Sequence, residues 1–172
     1  APIAEAGALG ERSAGPRAAP LERGLARLAV IEDAAGIGLH RGLDRIGGGE
    51  VLSRHRFADQ IALRFLAAWR QAWLGADVDA YRSFYGAWAV QGDRVGADTI
   101  ADYKKTLWDR KPPVKVAVDD LEVTMHPKGL QVAFDQVYED ASGYGDKGYK
   151  TMVLTPQGDK WKIESEQWRR GR

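Results

Sequence analysis

Three observations predict an α+β domain. An amphipathic helical pattern runs from Phe57 to about Gly75, two shorter helical patterns follow it, and four runs of strand alternation separated by turn residues fill the chain from Val114 onward. The expected architecture is three helices packed on a curved antiparallel sheet (51–172), preceded by a mostly helical N-terminal arm (1–50).

The arm comes first. Residues 1–20, "APIAEAGALGERSAGPRAAP", hold ten Ala or Gly and three Pro, a composition that cannot bury a core. Leu21, Leu25 and Leu28 then fall on one helical face, and "GIG" at 36–38 is expected to end that helix. A short piece, "LHRGLDRI", stops at "GGG" (47–49). Such short segments need a surface to pack on, so Leu21, Leu25 and Leu28 are candidate anchors on a protein partner or a second copy.

The first domain helix carries Phe57, Ile61, Phe65, Trp69 and Trp73 at spacing four, widened by Ala62 and Leu66. Asp77 or Asp79 can cap a short second helix bearing Tyr81, Phe84 and Tyr85. A third helix starts at a capping Asp98 or Thr99, brings Ile100, Tyr103 and Leu107 onto one face, and stops at "KPP". Strand alternation through Val114, Val116 and Val118 restarts through Leu121, Val123 and Met125, so Asp119-Asp120 marks a bulge or bend. "KG" turns the chain into a strand whose Leu130, Val132, Phe134, Gln136 and Tyr138 share a face. "ASGYGDKG" is expected as a loop, followed by the strand "YKTMVLT", the turn "PQGD" and the strand "KWKIESEQW".

Composition narrows the function classes. The chain of 172 residues has 25 Lys+Arg against 24 Asp+Glu, and neither side of Phe57 is polybasic, so no bulk field favours nucleic acid. No cysteine is present, which removes disulfides, thiol nucleophiles and thiolate metal sites. No apolar run approaches the ~20 residues of a spanning helix. Three scattered histidines without ligand spacing give no metal site, and no glycine-rich phosphate loop follows a strand, so no cofactor is expected.

Two groups of residues carry the candidate chemistry. The run Trp69, Trp73, Tyr81, Phe84, Tyr85 and Trp88 reads as core under the sheet, with Trp73 and Tyr85 as the members that face a pocket. Gln136, Tyr138 and Lys150, if they converge, supply an amide, a phenol and an ammonium to an anionic or amide ligand. Against this stands mutual pairing of Gln136 with Tyr138 and a solvated Lys150. No carboxylate–histidine pair falls inside the expected cone. Asp135 lies opposite Phe134 and Gln136, and Glu164 and Glu166, alternating with Ile163, are expected to face water. Catalysis is therefore the minority expectation, as an isomerase- or dehydratase-like enzyme, and no catalytic residue is named.

The segments "FLAAWRQAWLGADVDAYRSFYG", "YKKTLWDRK", "VKVAVDDLEV", "VAFDQVYEDASGYGDKGYKTMVL" and "WKIESEQW" resemble the nuclear transport factor 2-like superfamily across roughly 57–168. More narrowly, they resemble the accessory domain that follows the catalytic domain in some bacterial L,D-transpeptidase and peptidoglycan carboxypeptidase proteins. The resemblance implies a cone-shaped fold around a pocket and an accessory ligand- or peptidoglycan-binding domain of the cell envelope. Because the arm has a hydrophobic stripe and no core of its own, the favoured expectation is a non-catalytic assembly module whose arm docks on a partner protein or second copy. Pocket binding through Trp73, Tyr85, Gln136, Tyr138 and Lys150 is the alternative. A small molecule or peptidoglycan fragment is the implied ligand. A periplasmic location follows from the same resemblance and agrees with a chain that begins at Ala1, as after cleavage of an export signal; a cytoplasmic one stays open.

Overall fold

The structure, a computed structural model, describes residues 37–39 and 49–171, with side chains from Arg54 onward. Its elements in chain order are β1 (Ile37–Leu39), α1 (Gly49–Leu74), α2 (Val78–Ser83), β2 (Tyr85–Gln91), β3 (Arg94–Val95), α3 (Ala97–Trp108), β4 (Pro113–His126), β5 (Gly129–Asp140), β6 (Gly145–Gln157) and β7 (Lys160–Arg170). The four long strands form the expected antiparallel meander. Three further strands extend it to seven in the order β1-β4-β5-β6-β7-β2-β3. Residues 37–39, in the stretch expected to end an arm helix, form β1, paired in parallel with β4. Leu21, Leu25 and Leu28 lie outside the described residues.

Helix α1 covers the sheet at β4 and β5, and α2 and α3 pack on each other. Its buried face is Ala58, Ala62, Phe65, Leu66, Trp69, Ala72 and Trp73. Phe57, expected to begin the stripe, is 61% exposed. Strict spacing of four drifts about 40° per step on a helix of 3.6 residues per turn, so a four-step stripe cannot keep one face. Helix α2 starts at Asp77, whose side chain accepts from the Ala80 N–H at 2.9 Å, as expected of an N-cap. It ends at Ser83, so Tyr85 opens a strand, not a helical turn. Helix α3 begins one residue after Gly96, and neither Asp98 nor Thr99 caps it. Its buried residues are Ile100, Ala101, Lys104 and Trp108, while Tyr103 is 42% exposed beneath the Arg94 guanidinium.

Two register breaks decide what faces the core. The expected one interrupts β4 between Asp119 and Glu122, with Asp120 in the left-handed region at φ 52°. The other lies in β7, where Leu154 pairs with Ile163 but Val153 pairs with Ser165, leaving Glu164 as the extra residue. That bulge flips the phase, so Ile163 and Glu166 both point inward although they are three apart.

Candidate functional site

Beneath α1 and α3 the concave sheet face forms a cavity of about 550 Å³ that opens to solvent. Its walls include Trp73 from α1, Arg94 from β3, Lys104 and Leu107 from α3, Gln136, Tyr138 and Asp140 from β5, Asp146 and Lys150 from β6, and Glu166 and Trp168 from β7, with Lys111 just past α3. Gln91 on β2 adds a further wall residue. Alternation along β5 places Phe134, Gln136 and Tyr138 inward, as expected, while Asp135 is half-buried on the other face.

A buried polar network forms the floor. Lys150 and Glu166 sit diagonally across β6 and β7, since Lys150 pairs with Trp168 and Met152 with Glu166. Their side chains are each 4% exposed, and the ammonium donates to Glu166 Oε1. Lys150 is thus not solvated, and Glu166 does not face water; the β7 bulge is the reason. Glu166 Oε2 accepts from the Tyr85 hydroxyl at 2.6 Å and from Gln91 Nε2 at 3.1 Å. Gln91 reaches it because the two residues are register partners on parallel strands. The Tyr81 hydroxyl lies 2.6 Å from that of Tyr85, and Trp69 Nε1 donates to Tyr85 at 3.3 Å.

The electrostatics follow from burial. Burial pushes the Glu166 carboxyl up, but Lys150 and its hydrogen bond, the Tyr85 hydroxyl and Lys104 together hold it below the ordinary glutamate value. Burial, followed by the Glu166 charge, raises the Tyr81 and Tyr85 hydroxyls well above the ordinary value, so both remain donors. Both carboxylate oxygens of Glu166 are occupied by donors. The group is a fixed counter-ion, poorly suited to take a proton from a substrate.

The second cation differs. Lys104 is 8% exposed, and its ammonium lies 4.2 Å from the Trp73 ring centre, with Tyr81 at 5.6 Å and Trp108 at 5.9 Å. Among the described residues no hydrogen bond or ion pair reaches it. Burial, with Lys150 nearby, lowers it to about 7.

Of the five expected pocket residues, Trp73, Gln136, Tyr138 and Lys150 line the cavity. Tyr85 lies behind it and holds Glu166. Gln136 and Tyr138 do not satisfy each other: Gln136 Oε1, the Tyr138 hydroxyl and Trp73 Nε1 are buried with no hydrogen-bond partner among the described residues. Tyr138 stacks on Trp73 at 5.5 Å between ring centres, and burial with Asp140 and Asp146 raises its hydroxyl to about 12. Trp88, counted in the aromatic run, is 84% exposed on β2. Sequence reasoning missed Glu166, Gln91 and Lys104. The signal for Lys104 was its place midway between Ile100 and Trp108 at spacing four. No group of three His, Asp or Glu among the described residues could hold a metal ion.

Residues 61–167, more than half of the chain, match the Cds6 C-terminal NTF2-like domain. The chain belongs to that family. Solved structures carry the same fold as this NTF2-like domain. Bd1075 of Bdellovibrio bacteriovorus aligns at 26% identity with a TM-score of 0.60, over 77% of this chain and 47% of that protein. This chain therefore spans about half the length of that relative. Aln2 from a Streptomyces species aligns at 14% identity, TM-score 0.57, over 73% of this chain and 94% of that one. An NTF2-like protein from Cytophaga hutchinsonii aligns at 11% identity, TM-score 0.58, over 65% and 97%. A search of curated protein sequences finds no match. Among the described residues, no helix of this NTF2-like domain is long and apolar enough to cross a membrane.

Proposed function

We propose that this NTF2-like domain is a non-catalytic binding module whose cone pocket takes a small ligand. The observation that carries the reading is a cavity of about 550 Å³ with a floor already fixed by the Lys150–Glu166–Tyr85–Gln91 network. Ligand sites are commonly of this size, apolar-walled, with few oriented polar groups. The engaged Glu166 oxygens argue against an isomerase- or dehydratase-like base at this position. The resemblance to accessory domains of bacterial L,D-transpeptidase and peptidoglycan carboxypeptidase proteins favours an envelope setting, with a peptidoglycan fragment among the ligands.

The test is a thermal-shift screen of small molecules against the wild type and Leu107→Trp, which adds an indole at the cavity wall. Binding raises stability by about 2.7 kcal/mol at a hundredfold excess over Kd. Hits that stabilise the wild type and not Leu107→Trp support the pocket. Hits insensitive to that substitution would count against it.

Assembly is the second reading, with the segment that precedes β1 docking on a partner protein or second copy. One observation favours it: Trp88 is 84% exposed, with Val90 and Val95 also exposed on the β2–β3 hairpin. Trp88→Ser should then reduce self-association or partner retention on gel filtration; an unchanged profile removes this support.

A further inference from the structure

We infer that the pocket recognises a carboxylate with a neighbouring amide N–H, the pairing found in N-acyl amino acids and at peptide C-termini, and that Lys104 is its charge partner. The inference rests on the proposed pocket and names the chemistry it takes. Lys150 cannot be that partner, because Glu166 already neutralises it in a pair that is 4% exposed on each side. Of the other cavity cations, Arg94 pairs with Asp93 and lies over the Tyr103 ring, and Lys111 is exposed, which leaves Lys104 as the buried ammonium with no anion bonded to it among the described residues. A buried charge without a partner is costly, and aromatic faces alone supply only part of the compensation.

The uncoupled polar atoms complete the pattern. Trp73 Nε1 is a donor only, and the Tyr138 hydroxyl donates or accepts. Gln136 Oε1 is an acceptor that lacks a donor. All three side chains are more than nine-tenths buried and line the same cavity as Lys104. A ligand that satisfies them offers acceptor oxygens toward Trp73 and Lys104 and a hydrogen-bond donor toward Gln136. A carboxylate adjoining an amide does both; a sulfate offers no donor, and a protonated amine offers no acceptor.

Matched pairs test the assignment: N-acetylalanine and N-acetylphenylalanine against their primary carboxamides, titrated by protein-observed NMR into the wild type, Lys104→Met and Gln136→Leu. Lys104→Met keeps the side-chain length and removes a buried charge, so it should fold at least as well as the wild type, which a thermal melt verifies. The acids should bind at least tenfold more tightly than the carboxamides, and Lys104→Met should abolish that preference. Gln136→Leu should weaken acids and carboxamides alike. Carboxamides binding as well as the acids, or an acid preference that survives Lys104→Met, would overturn the inference while leaving a ligand pocket in place. No binding of either class to the wild type would also overturn it. The screen against Leu107→Trp then decides whether the pocket reading itself stands.

Discussion

Replacing Glu166 by Gln keeps the shape of the side chain and removes only its charge, which makes it the sharpest probe of the pocket floor. In the native fold the carboxylate meets Lys150 at one oxygen, and Tyr85 and Gln91 at the other, with both members of the ion pair 4% exposed. The Glu166→Gln variant would leave the Lys150 ammonium buried without a counter-ion and direct an N–H₂ group at existing donors. Breaking one half of a buried pair costs about 3–5 kcal/mol. A domain with the ordinary total of about 5–15 kcal/mol would lose roughly a fifth or more of its stability. Urea unfolding at neutral pH measures this directly. The companion variant Lys150→Met/Glu166→Leu removes both charges and should recover to within about 2 kcal/mol of the wild type, because an apolar replacement of a buried pair is often neutral. With the single variants Lys150→Met and Glu166→Leu added, the double-mutant cycle should yield a large coupling energy. A loss below about 1 kcal/mol for Glu166→Gln alone would refute the picture of a dry, fixed carboxylate.

Two other predictions probe the same walls. Lys104 is lowered from 10.5 to about 7, so between those values the unfolded chain binds more protons, and stability should rise with pH. The slope approaches about 1.4 kcal/mol per pH unit and should vanish in Lys104→Met, as followed by urea unfolding between about pH 7.5 and 9.5. Gly148→Ala would bring a Cβ within 2.7 Å of the Trp168 ring and onto the Arg169 carbonyl. It should cost about 1–3 kcal/mol and move the indole from the cavity wall, read as a change in tryptophan fluorescence.

Much of the fold was legible from the sequence because its signals are local. The β4–β7 meander and the break at Asp119–Asp120 followed from period-two alternation, and the α2 cap followed from Asp77. The site was half legible. Trp73, Gln136 and Tyr138 came from stripes on single elements, and Lys150 from its place on the next strand. Glu166 was misplaced because a single extra residue at Glu164 reverses the phase of β7, and no turn residue advertises that bulge. Tyr85 was read as helical because α2 stops only two residues earlier, and Gln91 became visible only once β2 paired with β7. Lys104 was not singled out, because lysines are almost never fully buried and a helical one ordinarily faces solvent.

The pocket account is tested most directly at the indole N–H of Trp73, a buried donor without a partner beside the cavity. Its ¹H–¹⁵N resonance should shift on titration with a bound small ligand, and the shift should be lost in Leu107→Trp. A Trp73 signal that stays fixed while a confirmed ligand saturates the protein would contradict the account, and would place binding elsewhere on the domain.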